Sequence, residues 1–570
     1  MTDPRTSTPP PLPAPTRPPL PPVPPLAAGP PEEPEEPPRG WTWRTKALTA
    51  LLVGLFVAIG LFAAWTVTPP PDENALPRPS DTDVVLAGGT PLSWDPAAIT
   101  DGLSAQVLTQ VFEGLTVLDA NSRVQPALAE SWRLEDDGKR LVFELRGGLS
   151  FSDGTPLDAD DVRRSWLRVI DPASPSPLSS LLDDISGAAA YARGEGNVED
   201  VGIRAVGRTL TLEFERPAAY FPSVAAVPTL AIVPPTIDQL ARGPEPDLAF
   251  GASGSFVPLE QGDGQIRLEA NESYWAGRAP MARVTVITDD GGRSPVDVFV
   301  DEAVDWTRVA GADASWIRYD RYLGPQLRHT DEMAVDMLGF DTTSEPFDDP
   351  AVRRAVAMAV DWRRLAALDG GDDPVPTSIV PPGVVARPDG DFLLPYDPDA
   401  ARAELAAAGY PDGSALPTVS LATYGVGPAE AIAVELATEL GMKVEVERRP
   451  FEEHSQMLDR DTPDMWTLAW SADYPHTHDF LGLLLLGDSS ANISGWSDPA
   501  YDQLVDAAAA TSDEVEQARL YAEAQAIVRD SAPLIPLGYG GSWWLSREGL
   551  RGDGISGVGI LRYADLEWAD

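Results

Sequence analysis

The sequence predicts α/β lobes behind a proline-rich tail and one membrane-spanning helix. Three observations carry this reading. Strand-type and helix-type segments interleave from about residue 84 to the C-terminus with no internal repeat, the pattern of α/β layers and not of a sandwich or a bundle. The 570 residues exceed what one ordinary core organises, so two or three domains are expected. The 58 prolines are unevenly spread, and an uncharged apolar run at 47–67 follows the stretch they dominate.

The chain in order begins with residues 1–46. Runs such as Pro18-Pro19-Leu20-Pro21-Pro22 cannot build a core, so this tail is expected to be disordered or polyproline II. The run 47–67 matches a hydrocarbon core of about 30 Å at about 1.5 Å per residue. Trp41, Trp43 and Trp65 flank it where interfacial aromatics belong. Arg39, Arg44 and Lys46 precede it and Asp72 and Glu73 follow, so the tail is expected in the cytosol and the rest outside. The run is longer than a usual signal-peptide core and no clean Ala-x-Ala site follows. A retained signal anchor is therefore expected, with 68–80 as a stiff linker.

Residues 84–87 read as a buried strand. Residues 103–112 read as a helix with Leu103, Val107, Leu108 and Val111 on one face. Leu141, Phe143 and Leu145 alternate inward on a strand, and 209–214 is another. Asp158 caps a helix whose stripe is Val162, Trp166, Val169 and Ile170, with Asp161 at its third position. Asp349-Pro350, Asp397-Pro398 and Asp498-Pro499 each place an acceptor at the N-cap and proline at N1. The second of these helices ends at Gly409. Val444 and Val446 mark a strand, 465–469 is a short apolar one, and Ser512 opens a long last helix through about Arg529.

Composition excludes several functions. With no cysteine there is no disulfide framework, thiolate site, Cys nucleophile or lipidated Cys. A net charge of −46 repels phosphate backbones, so no nucleic-acid partner is expected. No phosphate-cradling Gly-rich loop follows a strand. Gly251-Ala252-Ser253-Gly254 has the wrong spacing for a nucleophile elbow and reads as a turn. Asp160-Asp161, Asp289-Asp290 and Asp348-Asp349 read as caps and solvated turns. No enzyme activity and no cofactor are expected.

The stretch with most chemistry is 469–480, Ala-Trp-Ser-Ala-Asp-Tyr-Pro-His-Thr-His-Asp-Phe. It follows the apolar strand and holds a carboxylate between two aromatics. His476 and His478, two apart, would face the same way in an extended loop, so they are the metal-ligand candidates, with Asp473 or Asp479 as a third ligand. The plainer reading is that both are polar loop residues.

From about Val84 onward a collinear series of motifs resembles the family 5 extracellular solute-binding proteins of ABC importers, and within them the oligopeptide- and dipeptide-binding branch. The series runs Phe112-Glu113-Gly114-Leu115, Pro126 to Trp132, Phe151-Ser152-Asp153-Gly154-Thr155-Pro156, Asp171-Pro172, Asn271 to Trp275, Pro346-Phe347-Asp348-Asp349, Val352-Arg353-Arg354-Ala355 and Ala407-Ala408-Gly409-Tyr410. The resemblance implies a bilobal, periplasmic-binding-protein-like clamshell of type II with an additional small domain. Lobe I would comprise 81–121, 236–342 and 535–570, the small domain 122–235, and lobe II 343–534, with two crossings as the hinge.

The resemblance also implies capture of short peptides outside the cell for import by an ABC permease; the chain is expected to act as a monomer, and its tether through the N-terminal helix departs from the usual lipidated-Cys anchor. In Trp470-Ser471-Ala472-Asp473-Tyr474, Asp473 would take the peptide's α-ammonium, and the backbone at Ala469 and Ser471 would pair with its main chain. Phe451 and Tyr539 stand at further ligand positions. Thr467 stands where some relatives place an Arg, and Phe451 where they place a Trp, so the far end of the ligand departs from the family pattern. The alternatives are a metal–chelator complex such as nickel–histidine held through His476 and His478, and a sensory role without transport.

Overall fold

The computed structural model describes residues 82–237, 248–369, 374–458 and 460–569. The expected tail 1–46, membrane helix 47–67 and linker 68–80 lie outside the described residues. Among the described residues no helix is long and apolar enough to cross a membrane.

In chain order the main strands are β1 (Asp83–Ala87), β2 (Ala129–Glu135), β3 (Arg140–Leu145), β4 (Ile203–Val206), β5 (Thr209–Glu213), β6 (Phe256–Gly262) and β7 (Gln265–Ala270). They continue with β8 (Arg283–Ile287), β9 (Trp306–Val309), β10 (Leu327–Phe340), β11 (Val419–Thr423), β12 (Val444–Arg448), β13 (Met465–Ser471) and β14 (Leu534–Ser546). The helices used below are α1 (Gly102–Val111), α2 (Ala159–Val169), α3 (Pro350–Ala359), α4 (Pro398–Ala407), α5 (Phe451–Leu458), α6 (Thr477–Leu485), α7 (Pro499–Ala509) and α8 (Glu514–Ser531).

Ten strands form one long mixed sheet in the order β12-β11-β13-β10-β14-β9-β1-β8-β7-β6. A separate antiparallel sheet has the order β2-β3-β5-β4. The 14-residue β10 and the 13-residue β14 pair with each other through the middle of the long sheet. One end of β14 carries β9, and the far half of β10 carries β13. The register between β10 and β14 shifts between Asp331 and Val335, so a bulge interrupts the ladder there.

The small sheet has its own core, in which Phe143, Leu210 and Leu212 meet Val162, Trp166 and Val169 of α2. Each such buried side chain contributes about 1.5–3 kcal/mol. Trp166 Nε1 donates to the Leu230 carbonyl at 2.9 Å, so the indole is buried without an orphaned donor. α2 opens on a full capping box: Asp158 accepts from its first turn and Asp161 accepts from the Asp158 N–H.

Asp349, Asp397 and Asp498 cap α3, α4 and α7 as expected, each with proline next in the chain. Gly409 follows α4 with φ +97°, the left-handed position that ends a helix. Two expectations change. α8 opens one residue later than expected, because Asp513, not Ser512, accepts from the Val515 and Glu516 N–H groups. Leu103 is exposed although Val107, Leu108 and Val111 are buried: the first turn of α1 lines a cavity instead of the core.

Motifs far apart in sequence meet. The buried Glu113 carboxylate accepts from the Tyr274 hydroxyl and from Trp275 Nε1, and Arg146 lies 3.8 Å over the Trp275 ring. The neighbouring Gly114 is required by close approach, since a Cβ there would come within 2.5 Å of the Ala225 carbonyl oxygen. The Arg353 guanidinium, also buried, donates to the carbonyls of Phe347 and Ser531, the latter at the C-terminus of α8. Asp289 and Asp290 accept from the Gly291 and Gly292 N–H groups, the solvated turn expected of that pair.

Candidate functional site

β13 is an apolar strand that runs out of the core. It pairs with β10 from Met465 to Ser471 but with β11 only at Met465 and Trp466. From Thr467 to Ser471 its other edge has no strand beside it among the described residues. Antiparallel pairing turns alternate residues toward and away from the partner. The Ala472 N–H donates to the Met333 carbonyl at 2.8 Å, so even-numbered residues face β10. Thr467, Ala469 and Ser471 therefore turn their backbone groups to the open edge. The Thr467 carbonyl is taken by His454 Nε2 at 2.9 Å, and the Ala469 N–H by the Tyr424 hydroxyl at 3.1 Å. The Ala469 carbonyl and both backbone groups of Ser471 have no hydrogen-bond partner among the described residues.

A cavity of about 700 Å³ lies against this end of β13. Ser471 and Ala472 line it from one side, Leu103 and Asp289 from the other, and Glu332 and Ala334 at the bulge of β10. Asp473 lines a smaller adjoining cavity of about 50 Å³, and Val558 borders both.

The Asp473 carboxylate is half-buried and has no hydrogen-bond or ion-pair partner among the described residues. Burial pushes its pKa up to about 6. A carboxylate desolvated in this way gains most from an incoming cation.

Asp473 is held in place by its neighbours. Asp479, fully buried in the first turn of α6, accepts from the Asp473 N–H at 3.1 Å, the Tyr474 N–H at 3.3 Å and Trp470 Nε1 at 2.8 Å. Burial, and then the like charge of the neighbouring Asp473, push its carboxyl up, opposed by those three donors. Tyr474 is also buried: its hydroxyl meets His478 Nδ1 at 2.9 Å and its ring stacks on Tyr220 of the small-sheet region at 5.7 Å. The Pro475 carbonyl accepts from the Val385 N–H at 3.1 Å.

The structure thus brings Ala469, Ser471 and Asp473 to one edge, and places Trp470 and Tyr474 behind them as support. Phe451 is exposed at the start of α5, edge-on to Tyr424 at 5.1 Å, beside the open edge of β13. Tyr539 is buried in β14 and its hydroxyl donates to the Ser378 carbonyl at 2.7 Å. Its phenol sits inside the core and not in the 700 Å³ cavity.

The expected extended loop through His476 and His478 is replaced by a helix start. His476 is the N-cap of α6, its Nδ1 accepting from the His478 N–H at 3.1 Å. His478 stacks on Tyr220 at 3.7 Å. Both rings are buried with Nδ1 engaged, so they do not turn together toward one ion. Among the described residues no group of three His, Asp or Glu side chains is arranged to hold a metal.

Burial holds the His476 pKa down to about 4, with its Gln517 contact opposing. A histidine depressed below its unfolded value of about 6.5 is neutral in the folded state where the unfolded chain already binds a proton. Its contribution is therefore intact above pH 6.5 and is lost as pH falls toward 4, by roughly 3 kcal/mol. His476→Asn keeps an N-cap acceptor and removes the titration. Thermal unfolding followed by circular dichroism from pH 7 to pH 4.5 should show the variant gaining on the wild type as pH falls. A constant difference would contradict this assignment.

Sequence reasoning missed Tyr424, His454 and Tyr220, and weighed Asp479 only as a metal ligand. Asp479 did carry a signal, as the one carboxylate in the otherwise apolar helix sequence Thr-His-Asp-Phe-Leu-Gly-Leu-Leu-Leu. The other three announce themselves only through tertiary contact.

Residues 123–492 match the family model described as bacterial extracellular solute-binding proteins, family 5 Middle. The chain is 30% identical to the probable deoxycholate-binding periplasmic protein YgiS of Escherichia coli, over 79% of this chain and 86% of that one. It is 29% identical to the dipeptide-binding protein DppE of Bacillus subtilis, over 84% and 90%. Its fold matches the solved structure of the Escherichia coli murein tripeptide-binding protein MppA with a TM-score of 0.68 at 22% identity, over 86% and 98% of the two chains.

Proposed function

The chain belongs to the bacterial extracellular solute-binding proteins of family 5, and from that premise we propose that it captures short peptides outside the cell and hands them to an ABC permease. The observation that carries this is the pairing of an open strand edge with an unpaired, desolvated carboxylate at its end. The edge offers the Ala469 carbonyl and the Ser471 N–H and carbonyl to an extended main chain. Asp473, two residues beyond, offers its charge to an α-ammonium. Relatives named for dipeptides, oligopeptides and a murein tripeptide agree with this reading.

In this proposal β10 and β14 are the two crossings between lobes, and the bulge between Asp331 and Val335 is where they flex. Residues of that bulge line the 700 Å³ cavity, so closure would bring the walls onto a ligand. The division into lobe I, small domain and lobe II follows the segments expected from the sequence. So do the monomeric state, the permease partner and the tether through 47–67. No covalent chemistry and no cofactor are proposed.

A bile acid would bring its own carboxylate toward Asp473 and be repelled there, which disfavours the ligand named for YgiS. A nickel–histidine complex finds neither His476 nor His478 open to it. The test is titration calorimetry of the full-length protein with trialanine, deoxycholate and nickel–histidine. Trialanine is expected to bind at micromolar concentration or tighter, and the other two not. Deoxycholate or nickel–histidine binding in place of peptide would defeat the reading.

A further inference from the structure

The open edge of β13 is short, and what closes it has a definite chemistry. Running from Thr467 to Ser471, the outward groups are the Thr467 carbonyl, the Ala469 N–H, the Ala469 carbonyl, and the Ser471 N–H and carbonyl. The first is occupied by His454 Nε2 and the second by the Tyr424 hydroxyl. A carbonyl can only accept, so His454 carries its proton on Nε2. An N–H can only donate, so the Tyr424 oxygen accepts from Ala469 and keeps its own proton for another acceptor.

The two rings are packed as one unit. Tyr424 lies 5.1 Å from Phe451 and 5.1 Å from His454, and both of those stand on α5. The Thr423 hydroxyl just before Tyr424 meets the Thr467 hydroxyl at 2.8 Å. The tyrosine is thus fixed to β13 on two sides.

Now a peptide is laid on this edge with its ammonium at Asp473, which rests on the peptide-capture reading above. Its chain then runs antiparallel to β13. Residue one lies opposite Ser471, its carbonyl accepting the Ser471 N–H. Residue three lies opposite Ala469, and its N–H donates to the Ala469 carbonyl. The next group, the residue-three carbonyl, would accept the Ala469 N–H, and Tyr424 already holds that position. We propose that Tyr424 is the stop that sets ligand length. Di- and tripeptides fit between Asp473 and Tyr424, the free Tyr424 proton is donated to the terminal carboxylate of a tripeptide, and a fourth residue meets the ring.

The experiment is calorimetric titration of the full-length protein and of Tyr424→Phe with trialanine and pentaalanine. The wild type should bind trialanine at least tenfold tighter than pentaalanine. Tyr424→Phe should reduce that ratio below threefold by weakening trialanine, which loses the phenolic proton, while the retained ring still blocks the longer chain. A second measurement needs no variant: trialanine N-methylated at residue three should bind the wild type at least tenfold more weakly, because its N–H is the one given to Ala469. Equal wild-type binding of the two lengths, an unchanged ratio in Tyr424→Phe, or indifference to N-methylation would each overturn this inference alone. Absence of binding by any free-amino peptide would overturn the peptide-capture reading, and this inference with it.

Discussion

Asp473→Asn should bind free-amino peptides about 10–100-fold more weakly than the wild type, while N-acetylated peptides lose little. The figure follows from the roughly 1.5–3 kcal/mol of a charge-assisted hydrogen bond in a desolvated site. The acetylated ligand is the decisive control, because it keeps every main-chain group that could pair with Ala469 and Ser471 and removes only the cation. Equal loss for both ligands would mean that the anchor has been placed on the wrong residue.

The same substitution should move stability the other way. The Asp473 carboxyl is raised to about 6 by burial, so at pH 7 the folded state holds a charge that the unfolded chain holds more easily. A raised carboxyl binds its proton in the folded state first. Stability therefore rises as pH falls from about 6 to the unfolded value near 4, and the ionised form is a liability above that window. Asn removes the liability, so unliganded Asp473→Asn should melt higher than the wild type at pH 7, by roughly 1–3 kcal/mol at the melting point. A site residue whose loss weakens binding and strengthens the fold is one kept for its ligand. Binding should also fade as pH drops through about 6, where Asp473 gains its proton.

What was legible in the sequence was whatever is encoded over a few neighbouring residues. The caps Asp158, Asp349, Asp397 and Asp498, the Gly409 stop and the alternation of Leu141, Phe143 and Leu145 all satisfy local backbone needs, and all appear in place. The strand leading to Asp473 was legible because its residues are consecutive, and the acid that follows two aromatic-flanked positions made Asp473 the residue to propose as anchor. The misreadings arise where a partner lies far off in the chain. Leu103 looked like core because periodicity cannot see that its neighbour is a cavity. Tyr539, named from the family resemblance, gives its hydroxyl to Ser378, a partner that nothing nearby in the sequence announces. His476 and His478 looked like a pair in a loop because the helix that His476 caps depends on burial of the apolar face after it. Tyr424 is the extreme case: its role depends on Ala469, 45 residues later, having no strand beside it.

The second large effect concerns Asp479, which is expected never to touch a ligand and yet decides whether Asp473 can. Its two oxygens collect the Trp470 indole N–H and the backbone N–H groups of Asp473 and Tyr474. Asp479→Ala leaves three donors without an acceptor in a buried site. An unsatisfied buried donor costs about 1–3 kcal/mol, so losing the acceptor of all three should cost several kcal/mol. The loss should appear as a lower melting point measured by circular dichroism at pH 7. The backbone that aims Asp473 also loses its acceptor, so affinity for free-amino peptides should fall at least tenfold even where the variant is fully folded. Acetylated peptides should lose affinity too, because Trp470 and the end of β13 move with the loop. That separates a positioning role from the anchor itself: Asp473→Asn discriminates between the two ligands and Asp479→Ala does not. If Asp479→Ala kept the wild-type melting point, the three hydrogen bonds would not be holding the loop. If it lost free-amino peptides alone, Asp479 and not Asp473 would be the group that meets the ammonium.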